Sequence, residues 1–98
     1  MANICTNLFY CHTDNAENLN TIQKFLDDAF DWEYYSKEDQ SLQGEFDSKW
    51  TFPEIAFDKM MSTLQPDDSL YIRVLSYEFG LEYAGYRIFK NNHWKIYM

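Results

Sequence analysis

The stretch that most limits how this chain can fold is residues 44–54, where a predicted strand runs directly into a predicted helix. From Phe46 to Trp50, apolar or small residues alternate with charged ones, which is the period of two that a half-buried strand shows. Thr51 and Glu54 follow with the spacing of a capping box, and the proline before Glu54 suits a first helical turn. The pattern predicts that a strand ends near Trp50 and that a helix begins immediately after it.

Hydrophobic periodicity divides the rest of the chain into short elements. Predicted strands cover residues 3–12, 30–35, 41–50, 69–79, 82–90 and 93–97, and predicted helices cover residues 15–30 and 53–64. The segment at 30–35 is open to a second interpretation, in which the first helix continues to Tyr35. The order of elements predicts one α+β domain over residues 1–98, with two helices on one face of a mainly antiparallel sheet.

Short local signals predict where some of these elements begin or turn. Asp14 and Glu17 have the spacing of a capping box at the start of the first helix. Asn91 and Asn92 are of a residue type that tolerates the left-handed backbone conformation, so they predict a two-residue turn between the last two strands. We therefore expect an antiparallel meander of three strands at the end of the chain.

The net charge is strongly negative and unevenly distributed. The chain has 16 acidic and 8 basic residues, which gives a net charge of −8. Residues 1–47 contain ten acids and two bases, whereas residues 48–98 contain six of each, so the first half carries all of the net charge. Because binding to nucleic acids relies on neutralising phosphates with basic residues, this charge argues against direct binding to DNA or RNA.

The two cysteines are predicted to be reduced. Cys5 and Cys11 are six residues apart on the first predicted strand, a separation of roughly 20 Å in an extended chain. A disulfide needs Cα atoms within about 7 Å, so the two thiols cannot pair along one strand. Buried, reduced thiols of this kind are typical of a reducing compartment.

No feature of the sequence predicts a membrane segment, a cofactor or a metal. No apolar run approaches the roughly 20 residues that cross a bilayer, and no basic start precedes an apolar segment, so a soluble cytoplasmic protein is expected. Cys11 and His12 are strand neighbours that point to opposite faces, which disfavours a metal site with His93. Phosphate-binding and nucleophile motifs are also absent, so we do not expect an enzyme.

Three motifs in this order resemble the YubB ferredoxin-like family, a group of small domains on bacterial phages and plasmids with no established activity. Residues 1–5 read MANIC, residues 46–53 read FDSKWTFP and residues 78–85 read EFGLEYAG, where family members tend to show M-A-N-x-C, F-x-[ST]-x-W-x-x-P and E-x-P-G-x-x-x-x-G. Two departures stand out. The family's W-G-T-K-W segment is replaced by FDWEYY at residues 30–35, and the late hairpin lacks its proline. The resemblance implies a ferredoxin-like two-layer sandwich of mobile-element origin, and it brings no catalytic residues.

The main functional prediction is a surface rich in carboxylates and aromatic rings, which we name the acidic-aromatic band. Its members are Asp27, Asp28, Asp31, Trp32, Glu33, Tyr34, Tyr35, Glu38 and Asp39. Aromatic rings anchor protein interfaces and carboxylates steer basic partners. The band predicts a non-enzymatic binding protein, a monomer or homodimer, that docks on a basic host protein. An anti-CRISPR or anti-restriction inhibitor that mimics the charge of nucleic acid is one such protein.

An alternative prediction places the binding site on a tyrosine-rich face of the sheet, where a small molecule or a peptide would bind. Its members are Tyr71, Tyr77, Glu78, Tyr83 and Tyr86. For both surfaces the competing interpretation is structural. In that interpretation the charges keep the protein soluble, and the rings belong to the core or to a partly exposed sheet.

Overall fold

The computed structural model describes residues 4–98, apart from the side chains of residues 33–35 and 81. Within this range the strands are β1 (Ile4–His12), β2 (Trp32–Glu38), β3 (Ser41–Lys49), β4 (Tyr71–Glu78), β5 (Tyr83–Lys90) and β6 (His93–Tyr97). The helices are α1 (Ala16–Ala29) and α2 (Glu54–Met61), and a short 3-10 turn spans Phe79–Leu81. The α+β class is confirmed, and so is the strand interpretation of the segment after α1, because α1 ends before β2 begins.

All six described strands form one antiparallel sheet in the order β2-β3-β1-β4-β5-β6. The first strand lies at the centre, between β3 and β4. One face of the sheet meets α1 through Leu19, Ile22 and Leu26, and it meets α2 through Phe57 and Met60. Two helices therefore cover one face, as predicted, and the opposite face is left without a covering element among the described residues.

Aromatic rings dominate the core between the helices and the sheet. Phe57 of α2 is 1% exposed and lies at the centre of the cluster. Its ring is 4.8 Å from that of Phe52, 5.1 Å from Phe25, 5.9 Å from Phe46 and 6.2 Å from Phe9, measured between centroids. These rings come from helix, strand and loop, so the cluster joins every layer of the domain.

Both predicted helix caps are wrong, for different local reasons. The cap of α1 is Asn15, whose side chain accepts a hydrogen bond from the backbone N–H of Asn18 at 3.0 Å, so the box predicted from Asp14 is not formed. The cap of α2 is Pro53, which makes no side-chain cap hydrogen bond. Thr51 therefore lies two residues before the cap, which is too early for a capping box.

The junction between β3 and α2 turns through the backbone. Trp50 follows the last residue of β3 and has a φ of 70°, in the left-handed region that few residues other than glycine adopt. Ser48 Oγ donates to the carbonyl oxygen of Thr51 at 2.7 Å and closes this turn. The left-handed turn predicted at Asn91 and Asn92 is confirmed, with φ values of 53° and 65° between β5 and β6.

Candidate functional site

The acidic-aromatic band divides into two clusters at opposite ends of β2. Asp27 and Asp31 lie near the start of the strand and line a shallow cavity with Trp32. Glu38 and Asp39 lie at its other end, beside Tyr10 and His12. The two ends of a seven-residue strand are about 20 Å apart. The side chains of the band members at residues 33–35 fall outside the described part.

Trp32 lies at the edge of the core, so part of its ring is accessible and its predicted role in binding stays a prediction. Its ring is half-buried and meets Phe9 edge-on, with 6.1 Å between centroids. Its Nε1 donates a hydrogen bond to Asp27 Oδ1 at 2.6 Å. This hydrogen bond engages the Asp27 carboxylate of the band and holds the start of β2 against the end of α1.

Four carboxylates of the band remain exposed. We name Asp28, Asp31, Glu38 and Asp39 the edge carboxylates; none of them forms an ion pair with a side chain that the structure describes. Lys37 Nζ of β2 donates to Gln23 Oε1 of α1. The edge carboxylates do not share one surface: Asp28 lines a cavity between α1 and α2, whereas Glu38 lies on the other face of the sheet, beside Tyr10. Within the described side chains, the one contact of ion-pair distance joins His12 Nε2 and Asp14 Oδ1 at 3.6 Å, and it is an ion pair only when the imidazole is protonated.

The face of the sheet away from the helices, which we name the open sheet face, carries a straight apolar row across four strands. Leu8, Leu75, Tyr86 and Tyr97 are successive cross-strand partners. Leu8 is 37% exposed, Leu75 is 41% exposed and Tyr97 is 53% exposed. The guanidinium of Arg73 lies beside this row, over the ring of Tyr10, with 4.3 Å from its central carbon to the centroid.

The open sheet face brings together three of the five residues predicted for the tyrosine-rich face. By register, Tyr71, Tyr77 and Tyr86 lie on it. Tyr83 and Glu78 are paired with each other and lie on the helix side instead, which corrects their grouping. The backbone N–H of Phe52 donates to the hydroxyl of Tyr83 at 3.4 Å. Tyr83 therefore packs beneath the β3–α2 junction.

Arg87 is a buried charge that sequence reasoning missed. It is 7% exposed, its guanidinium carbon lies 4.2 Å from the centroid of the Phe52 ring, and Nη1 donates to the hydroxyl of Tyr83 at 3.4 Å. Its Nε has no hydrogen-bond partner among the described atoms. A signal was present in the sequence, because Arg87 alternates in phase with Gly85 and Phe89 on the helix side of β5.

We expect the substitution Arg87→Met to leave the free energy of unfolding unchanged or to raise it by up to about 2 kcal/mol. A buried guanidinium with an unsatisfied nitrogen costs solvation energy, whereas methionine keeps the contact with the Phe52 ring. Urea unfolding followed by circular dichroism measures the difference, with exposed Lys90→Met as the matched control on the same strand. A loss of more than about 1 kcal/mol would show that the guanidinium stabilises the fold.

The two thiols are buried and unreactive. Burial raises the pKa of the Cys11 thiol to about 12. Burial also raises the pKa of the Cys5 thiol, although a hydrogen bond with Ser48 opposes the rise. Both cysteines are free and protonated at neutral pH, and a protonated thiol is a poor nucleophile and a poor metal ligand.

The comparisons with known proteins identify no relative. Neither protein-family models, nor characterised proteins, nor solved structures match this chain. Among residues 4–98, no helix is long and apolar enough to cross a membrane, and no group of three or more potential ligands is placed to hold a metal ion. The resemblance to the YubB family stays a prediction.

Proposed function

We propose that this chain is a small non-enzymatic binding protein that docks on a basic protein surface through the edge carboxylates. The observation that carries the proposal is that these four carboxylates are exposed and form no ion pair with a described side chain, two of them near the end of α1 and two at the far end of β2. The net charge of −8 adds a long-range attraction for a basic partner. Charge of this kind increases the rate of association and selects partners of opposite charge.

The fold we propose is a ferredoxin-like sandwich extended by one hairpin. The first six elements follow the order β-α-β-β-α-β, and their strands are arranged as β2-β3-β1-β4, which is the split βαβ pattern. Strands β5 and β6 then extend the sheet at the β4 edge. Together with the resemblance to the YubB family, this supports a cytoplasmic protein of phage or mobile-element origin. Its partner is then a nucleic-acid-handling host protein, such as a CRISPR or restriction complex.

The test compares the wild-type chain with a variant in which three edge carboxylates are reversed, Asp28→Lys, Asp31→Lys and Asp39→Lys. Tagged wild-type protein is expected to retain a basic protein from nuclease-treated bacterial lysate. This partner is expected to dissociate at high salt and also when double-stranded DNA is added. DNA competes because a charge mimic occupies the same basic groove. The reversed variant is expected to lose at least about 90% of this binding, because three attractive charges become repulsive.

A second variant with the same change in net charge separates local docking from general acidity. Asp58, Asp68 and Glu82 are exposed carboxylates outside the band, and all three are replaced by lysine in the control. The control is expected to bind the partner with at most about a threefold loss, because long-range charge is screened at physiological salt. An equal loss of partner binding in both variants would contradict docking through the edge carboxylates. Binding of the partner to the wild-type chain that added DNA does not reduce would also contradict it.

The tyrosine-rich surface is a second candidate, and its geometry narrows the alternative function. Tyr71, Tyr77 and Tyr86 share the open sheet face. Two cavities lie on this face: one of about 180 Å³ beside Leu8 and Arg73, below the roughly 300 Å³ at which small-molecule sites begin, and one of about 610 Å³ beside Tyr10 and His12. The larger cavity is lined mainly by polar side chains, whereas small-molecule sites are mostly apolar, so an extended peptide or protein surface fits this face better than a small molecule does.

A further inference from the structure

The open sheet face is large enough for a protein interface. Six strands spaced about 4.8 Å apart and about 25 Å long give a face of roughly 600 Å² in projection. A standard protein interface buries about 800 Å² on each partner, so this face approaches the size that a specific complex needs. The exposed row of Leu8, Leu75, Tyr86 and Tyr97 runs across its middle, and a contiguous apolar patch of this kind marks an interaction site.

Charges on the open sheet face are separated into two halves. On one side it carries Glu38 of β2 and Glu45 and Asp47 of β3, with Lys49 at the end of β3. On the other side it carries Lys90 of β5 and Lys95 of β6, and neither of these strands contains an acidic residue. The apolar row lies between an acidic half and a basic half, so the face is complementary to a rotated copy of itself.

We propose that the open sheet face binds a second copy of this chain, with the two-fold axis parallel to the strands. A rotation about that axis exchanges the two halves and keeps each residue's position along the strands. By register, Glu38 of one protomer then lies level with the partner's Lys90, and Glu45 lies two positions along the strand from the level of the partner's Lys95. The same rotation sets Leu8 of one copy opposite Leu75 of the other, because β1 and β4 are adjacent central strands. Two sheets packed in this way are aligned, which is a common arrangement for sheets in face-to-face contact.

The charge pattern also selects this axis over the alternative one. A two-fold axis perpendicular to the strands would keep each half on its own side and place carboxylates against carboxylates. Like charges held close together in an interface oppose association. The dimer with the parallel axis covers Glu38 and leaves Asp28 and Asp31 of both copies exposed. Partner docking is tested without changing Glu38, so self-association and partner docking have separate tests.

The experiment uses two charge-reversed variants of the full chain and their mixture, measured by sedimentation equilibrium. We expect wild-type protein to dimerise at micromolar concentration. Lys90→Glu with Lys95→Glu, and separately Glu38→Lys with Glu45→Lys, are each expected to weaken dimerisation on the order of 100-fold. An equimolar mixture of the two variants restores complementary halves, so it is expected to form a heterodimer of near wild-type affinity.

Each outcome decides the proposal. Wild-type protein that stays monomeric at high micromolar concentration overturns it and returns the open sheet face to a peptide or another protein. Variants that do not dissociate, or a mixture that does not reassociate, overturn the proposed axis. The heterodimer also shows that both variants are folded. The variant reversed at Asp28, Asp31 and Asp39 is expected to dimerise normally, so failure of partner docking does not affect this test.

Discussion

Replacement of Phe57 by alanine is expected to lower the free energy of unfolding by about 3–5 kcal/mol. The side chain is 1% exposed, and its ring meets those of Phe9, Phe25, Phe46 and Phe52. Deleting it removes the buried ring and leaves a cavity where rings from several elements meet. Since a domain of this length has a total stability of about 5–15 kcal/mol, a large share is lost.

The position of Phe57 on a short helix increases this effect. The eight residues of α2 are too few to be stable alone, so tertiary packing must hold the helix. Urea unfolding monitored by tryptophan fluorescence and circular dichroism measures the change. The matched control is Ile55→Ala on the same helix, where the side chain is 74% exposed and the expected change is below about 0.5 kcal/mol. A loss below about 1.5 kcal/mol at Phe57 would mean that the aromatic cluster closes over the gap.

Alternation along the chain was sufficient to predict the order and type of the elements. Strand β6 spans His93–Tyr97 as predicted, and the Asn91–Asn92 turn before it has the left-handed backbone that two asparagines favour. These features are local, because side-chain direction alternates along any strand and turn residues act on their own backbone. The strand order is not local. The pairing of β1 with both β3 and β4 joins segments far apart in sequence, and only a family resemblance indicated it.

The helix caps and the two candidate surfaces show where sequence reasoning stops. Capping depends on a side chain reaching one N–H group, and an error of one or two residues loses it, as at Asp14 and Thr51. The hydrogen bond between Trp32 Nε1 and Asp27 depends on how the end of α1 meets β2, which the sequence pattern does not specify. The opposite placements of Tyr83 and Tyr86 follow from strict alternation, so that separation was available from the sequence pattern alone.

The second large effect on the free energy of unfolding is expected in a polar cluster at the start of α1. Asp67 lies at the centre of this cluster. The carboxylate accepts hydrogen bonds from the hydroxyl of Thr13, from Asn18 Nδ2 at 3.2 Å, and from the backbone N–H and hydroxyl of Ser69 at 3.0 and 2.6 Å. Asn18 is buried and also bonds both backbone groups of Gln65. The cluster therefore joins the end of β1, the first turn of α1 and the loop before β4.

The pKa of Asp67 is set by two opposed effects. Burial raises it, and the hydrogen bonds from Ser69, Thr13 and Asn18 lower it by more, so the pKa in the folded protein is below its usual value. A carboxyl group of this kind stabilises the fold at every pH above its unfolded value of about 4. That contribution is lost as the pH falls from about 4 through the lower folded value.

The substitution Asp67→Asn is expected to lower the free energy of unfolding by about 2 kcal/mol at pH 7, because an amide cannot accept all of these hydrogen bonds. Urea midpoints of both proteins, measured from pH 7 to pH 2.5, are expected to converge as the pH falls from about 4 through the lowered pKa of the folded Asp67, where the wild-type carboxyl group becomes protonated. Asp68→Asn is the control, since this exposed neighbour accepts a bond only from Asn92 Nδ2 among the described groups. A difference at Asp67 that stays constant over this range would show that its charge does not stabilise the cluster.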